Sequence, residues 1–334
     1  MSAGVLRIGL LGAGRIGRIH GGNVSAHPRA RLVAIADASE EAARSLAQVT
    51  GAGVRDLDAI IEATDIDAVL IGTPTDTHAD LIERAACAGK AIFCEKPVSL
   101  DAARTRACLD VVREAGARLM VGFNRRFDPS FAALKQRIDG GEIGRVELVT
   151  ILSRDPSPPP LDYVARSGGL FRDMMIHDFD MARFLLGEEP VEVHAVGACL
   201  VDPGIGQAGD VDTAAVLLKT ASGKIAQISN SRRATYGYDQ RVEVHGSAGL
   251  LAAGNQHATT VTFAGEHGYA SDPALPFFLE RYAQAYRNEL ETFVTGVLDR
   301  KPLAPSGEDG LRAQALADAA TRSAQSGEAV RIGA

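Results

Sequence analysis

Four small constellations in this chain could do chemistry. The first is Gly12-Ala13-Gly14-Arg15-Ile16-Gly17, a GxGxxG string that directly follows the apolar run Ile8-Gly9-Leu10-Leu11 and opens a helical pattern. In that context the first glycine permits a tight turn and the second lets a pyrophosphate approach the backbone. The third lets helix and strand pack closely, and the phosphates rest on the free N–H groups of the helix start. The second is Asp37, which ends the run Leu32-Val33-Ala34-Ile35-Ala36-Asp37. A carboxylate there accepts hydrogen bonds from the adenosine ribose hydroxyls and repels a 2′-phosphate. Ala38 and Ser39 follow, with no Arg to welcome that phosphate, so the spacing favours NAD over NADP. A helix-capping or turn aspartate is the competing reading.

The third is Glu95-Lys96-Pro97, just past another apolar run, at the edge where doubly wound sheets bind ligands. Taken by position alone, Lys96 is equally a loop residue before a proline. The fourth is Asp173-Met174-Met175-Ile176-His177. Read as one helix, it sets a carboxylate and an imidazole four residues apart on one face. A carboxylate beside an imidazole fixes the ring and favours its protonated form, which suits a general base. Such a pair can also be helix decoration. Asp173, His177, Asp178 and Asp180 together admit a metal-cluster reading, but Asp178 leaves the 173/177 face and no metal is expected.

The elements that must position these groups follow from the periodicity. Short apolar runs at 6–11, 32–36, 68–71, 91–94 and 119–121 alternate with helical patterns near 16–26, 39–50, 57–63, 77–88 and 101–115. Apolar strands alternating with helices predict a parallel sheet covered on both faces, a doubly wound α/β domain over 1–124. After residue 124 the rhythm changes. Strand-like segments at 145–152, 191–200, 211–219, 224–231, 241–246 and 258–263 follow one another, interrupted by helices near 173–186, 277–298 and 308–325. That predicts an α+β domain over 125–334 with a large, mostly antiparallel open sheet. Pro156, Pro158, Pro159 and Pro160 predict an irregular loop before residue 173.

Composition removes several classes. With 334 residues, 46% apolar and 23% charged, the chain can build two cores. A net charge of −7 with mixed signs argues against a nucleic-acid surface. No apolar run approaches the roughly 20 residues of a membrane helix, and no secretory leader is evident at the start. Cys87, Cys94, Cys108 and Cys199 show no CxxC spacing and read as inert residues of a reducing cytosol.

In this order, Gly12 to Gly17, Thr73-Pro74-Thr75 with His78, Glu95-Lys96-Pro97 and 173–177 resemble the glucose–fructose oxidoreductase and inositol dehydrogenase family over nearly the whole chain. The strings Gly122-Phe123-Asn124-Arg125-Arg126-Phe127-Asp128, Ser153-Arg154-Asp155-Pro156 and Asn230-Ser231-Arg232-Arg233-Ala234-Thr235-Tyr236-Gly237-Tyr238-Asp239-Gln240-Arg241 point within it to bacterial inositol 2-dehydrogenases. The resemblance implies a cytoplasmic NAD-dependent enzyme that oxidises myo-inositol to the 2-keto compound. Lys96, Asp173 and His177 match the family's catalytic Lys, Asp and His, and the Lys96–Pro97 peptide is expected to be cis. Gly12, Gly14, Arg15, Ile16, Gly17, Asp37, Thr73, Pro74, His78, Glu95 and Lys96 match its cofactor side, with the role of His78 left between cofactor contact and helix cap. Asn124, Arg125, Asp155 and Tyr236 match its polyol pocket, with an ion pair as the alternative for Arg125 or Arg126. Family members commonly assemble as tetramers through the exposed face of the second sheet, and a homo-oligomer is expected here. Another inositol isomer or cyclic sugar as substrate, and a non-catalytic NAD-binding regulator, are the alternatives.

Overall fold

The computed structural model describes residues 4–333. The chain divides into two compact units, residues 1–124 with 285–312, and residues 125–284 with 313–334.

In the first unit, strands β1 (Leu6–Leu11), β2 (Ala30–Ala36), β3 (Gly53–Val54), β4 (Ala68–Ile71), β5 (Ala91–Glu95) and β6 (Leu119–Gly122) form one parallel sheet in the order β3-β2-β1-β4-β5-β6. The connecting helices are α1 (Arg15–Ala26), α2 (Glu40–Thr50), α3 (Leu57–Glu62), α4 (His78–Cys87) and α5 (Ala102–Glu114). Ile8, Leu10, Ile35, Val69, Leu70, Ile92 and Phe93 are all buried, as a sheet covered on both faces requires. Ser39 caps α2 through its side chain, accepting from the Ala42 N–H, and the helix leaves through Gly51 in the left-handed conformation. The strand order reverses between β1 and β4, so the carboxyl edge there is a topological switch point, where such sheets place ligands.

The second unit opens with α6 (Pro129–Asp139), whose start is capped by Asp128 accepting from the Ser130 and Phe131 N–H groups. It continues with β7 (Val146–Arg154), α7 (Leu161–Ser167), α8 (Gly169–Asp173), α9 (Ile176–Leu186), β8 (Pro190–Ala198), α10 (Pro203–Gln207), β9 (Thr213–Thr220), β10 (Ile225–Ser231), β11 (Asp239–Gly246) and β12 (Gly249–Ala253). A hairpin of β13 (Thr262–Gly265) and β14 (Gly268–Ser271) and the short α11 (Phe278–Arg281) follow. The chain then forms α12 (Ala283–Leu298), α13 (Gly307–Ser326), which begins in the first unit and ends in the second, and β15 (Val330–Arg331). The seven-stranded sheet has the order β12-β11-β7-β10-β9-β8-β15; only β7 and β10 pair in parallel. Buried and exposed residues alternate strictly along β9, so one face of the sheet is open.

Three local expectations need correction. The single helix near 173–186 is two, α8 and α9, because the N–H groups of Met174 and Met175 both converge on the Leu170 carbonyl and loosen the helix by one residue. The helix near 277–298 is interrupted at Tyr282, which is buried between α11 and α12. The strand near 258–263 begins only at Thr262 and forms an exposed two-stranded hairpin outside the main sheet.

Candidate active site

The first unit brings its chemical groups to the carboxyl edge of its sheet. Gly12 leaves β1 with φ +102°, and a Cβ there would lie 2.6 Å from the Gly72 carbonyl oxygen. A Cβ on Gly17 would stand 2.0 Å from the Gly12 carbonyl oxygen, so only glycine lets α1 pack this closely. Gly14 is the opposite case, with no atom within 4 Å of its missing Cβ, which leaves a path for a ligand to the backbone. Gly14 precedes α1 without a side-chain cap, and Arg15 and Ile16 form the first turn, so the turn's N–H groups face an uncapped helix start. Asp37 follows β2; one carboxylate oxygen accepts from the Ala13 N–H at 2.6 Å and the other from the Ser39 N–H at 2.7 Å. The turn-aspartate reading is thus realised, and it serves the dinucleotide reading, since Asp37 braces the glycine loop and each oxygen keeps a second lone pair. These residues fit a dinucleotide: an open backbone cradle, a bare helix start and a carboxylate beside it.

Thr73 and Pro74 follow β4, and the Thr73 hydroxyl lies 2.6 Å from that of Thr77. His78 is buried, with Nδ1 2.8 Å from the Pro97 carbonyl oxygen and Nε2 2.8 Å from that of Thr73. It therefore ties the Thr73-Pro74 turn to the Lys96-Pro97 segment. The Lys96–Pro97 peptide is cis. Glu95, the last residue of β5, turns its carboxylate to His20 Nε2 at 2.6 Å.

The second unit gathers the rest. Asp173 ends α8, where its carboxylate accepts from the Tyr163 hydroxyl at 2.9 Å and lies 3.4 Å from a guanidinium nitrogen of Arg232. His177 is the second residue of α9, so the helix break stands between it and Asp173, and the two do not share one regular helical face. Asp155 follows β7, and burial, reinforced by the charges of Asp173 and Asp178, pushes its carboxyl up to about 6 against the pull of Arg232 and Arg125. Tyr163 and Arg232 were not singled out from the sequence. Arg232 sits inside the long quoted string, where a charged residue just past a buried strand was the available signal. Tyr163 lies in the proline-rich stretch read as irregular, which contains α7.

Other predicted residues have structural partners. Arg125 is buried and ion-paired with Asp178, which also accepts from Ser153 at 2.6 Å and from the Asn230 amide at 3.0 Å. Burial works against the Arg125 charge, but Asp178 and its neighbours hold the guanidinium in its charged form. Arg126 pairs with Asp180 at 2.5 Å. The two aspartates of the metal-cluster reading are thus arginine partners within this unit. Asn124 is buried, and Tyr236 is half-exposed beside a groove lined by Asp239, Arg241, Asn255 and His257, donating to Asp239 at 2.8 Å.

Residues 6–123 match the oxidoreductase family model with an NAD-binding Rossmann fold, and residues 131–252 match the GFO/IDH/MocA C-terminal domain. The chain belongs to the GFO/IDH/MocA oxidoreductase family. Among its relatives is the inositol 2-dehydrogenase of Rhizobium meliloti strain 1021, 63% identical over 318 residues that cover 95% of this chain and 96% of the relative. The crystal structure of a myo-inositol dehydrogenase from Corynebacterium glutamicum superposes with a TM-score of 0.95 at 47% identity, covering 99% of both chains. That of scyllo-inositol dehydrogenase from Lactobacillus casei, with bound NAD(H) and scyllo-inositol, superposes with a TM-score of 0.91 at 32% identity, covering 98% of this chain and 99% of the other. As a GFO/IDH/MocA oxidoreductase, the chain is an NAD-dependent dehydrogenase.

Proposed function

We propose that this enzyme oxidises myo-inositol at C2 to 2-keto-myo-inositol (scyllo-inosose), with Lys96, Asp173 and His177 as its catalytic residues. What carries the reading is the identity to inositol 2-dehydrogenase across both units with all three of these residues in place. Bound NAD supplies the hydride acceptor. The imidazole of His177 takes the hydroxyl proton as the C–H bond breaks. Asp173, itself held by Tyr163 and Arg232, orients that imidazole and stabilises its protonated form. The Lys96 ammonium donates to the reacting oxygen and stabilises negative charge developing on it. Asp155, Asn124, Arg125 and Tyr236 supply directed polar contacts to the ring; each contact left unmade in a buried site costs about 1–3 kcal/mol, enough to sort stereoisomers.

The likeness to scyllo-inositol dehydrogenase supports a second reading, oxidation of another inositol isomer on the same scaffold. The test is NADH formation with myo-, scyllo- and chiro-inositol, glucose and xylose. The highest kcat/KM with myo-inositol is expected; a preference for another isomer selects the second reading. Tight NADH binding with no turnover of any polyol contradicts both and identifies a regulator. His177→Ala should lower kcat by about 10²–10⁴-fold, and retained turnover would remove His177 from its role.

Among the described residues no helix is long and apolar enough to cross a membrane. The enzyme is read as cytoplasmic, working in the reducing compartment that suits its four free cysteines. Its open sheet face carries Val191, Val196, Leu217, Ile225 and Leu250 exposed, and assembly of a tetramer through that face is the oligomer this reading carries.

A further inference from the structure

Inside the first unit lies a cluster of ionisable side chains that the reaction does not use directly. Glu95 accepts the contact of His20 Nε2 at 2.6 Å, and both side chains are withdrawn from solvent. The imidazole, on α1, is caged by the edges of Phe93 at 5.1 Å and Tyr286 at 5.7 Å between ring centroids. The other Glu95 oxygen lies 3.0 Å from where a Gly122 Cβ would stand, so β6 offers the carboxylate a seat that any larger residue would narrow. Glu289, one turn beyond Tyr286 on α12, is fully buried, and among the described residues neither of its carboxylate oxygens has a hydrogen-bond partner. Burial first, and then the charge of Glu95, raise its carboxyl well above the usual range, which favours the neutral acid.

A buried ion pair is weak support for stability, since apolar side chains of similar volume serve as well. What distinguishes this pair is its place. It fastens the helix that opens from the glycine loop to the last residue of β5, and the next residue is Lys96.

We propose that His20 and Glu95 are positioning residues, a caged imidazole–carboxylate pair that fixes the end of β5 and thereby the backbone from which Lys96 reaches the substrate oxygen. The proposal rests on the reading of Lys96 given above. It assigns Glu95 to holding the loop rather than to touching the coenzyme.

The experiment measures kcat, KM for myo-inositol, NADH affinity and thermal midpoint in the full-length enzyme. The double variant His20→Phe with Glu95→Leu removes both partners and leaves no orphaned charge. It should hold its midpoint and bind NADH within about threefold of the parent, yet lose about tenfold or more in kcat, as small misplacements of a reacting group do. Glu289→Gln, which copies the neutral acid, should keep kcat. Should the double variant not fold, His20→Asn decides, because its shorter amide cannot span to Glu95, and the same kcat loss with retained NADH binding is expected. Parental kcat in these variants beside an inactive Lys96→Ala overturns the proposal, as does loss of NADH affinity in place of kcat. Parental kcat in Lys96→Ala itself overturns the reading of Lys96 on which the proposal stands.

Discussion

At the scale of single residues, the site joins groups of opposite needs. Arg125 and Asp178 are buried together and neutralise one another, while burial of Asp155 outweighs the pull of Arg232 and Arg125 on its carboxyl. Because its carboxyl is pushed up to about 6, Asp155 changes charge where enzymes are readily assayed. The ionised form accepts more hydroxyl hydrogen bonds than the protonated form, so KM for the polyol should fall as pH rises through about 6 and level off above it. Asp155→Asn should abolish that step and raise KM about tenfold, as loss of one buried charged hydrogen bond does. A pH profile of KM with the same step in wild type and variant would assign the titration elsewhere. Lys96, Asp37 and the glycines were legible as candidates because their chemistry depends on local spacing. Tyr163 and Arg232, the partners of Asp173, were not, because they come from 10 and 59 residues away in the chain and only folding brings them together.

At the scale of elements, the first sheet could be read almost in full from its apolar runs, since a strand buried on both faces has no polar residue to blur it. The helix carrying Asp173 and His177 could not. Its residues have helical periodicity throughout, and the break arises from two N–H groups sharing the Leu170 carbonyl, which periodicity does not encode. Helix α6 lies outside the helices that periodicity predicts, although Asp128 and Pro129 are a capping residue and a first-turn proline, a signal stronger than its modest apolar face. The turn after β2 makes a specific claim. Asp37 braces the Ala13 N–H, and if its carboxylate also selects the coenzyme ribose, Asp37→Ala combined with Ala38→Arg should shift the ratio of kcat/KM values toward NADP while weakening NAD binding. An unchanged ratio would remove Asp37 from coenzyme selection.

At the scale of the whole molecule, the family match spans both units, and the proposed assembly through the open face of the second sheet makes a claim of its own. Leu217 is half-exposed at the middle of β9 and Val196 is more exposed on the neighbouring β8. If the chain assembles through this face, Leu217→Glu, which places a charge there, should lower the mass measured by light scattering and reduce the thermal midpoint. An unaltered mass would move the interface off this face. The central claim, that a hydride leaves C2 of the inositol ring for the coenzyme, is tested most directly with myo-inositol carrying deuterium on C2. Mass spectrometry of the products should find the deuterium in the reduced coenzyme and none in the keto product. Reduced coenzyme without deuterium, with the label kept in the ring or lost to water, would contradict the account.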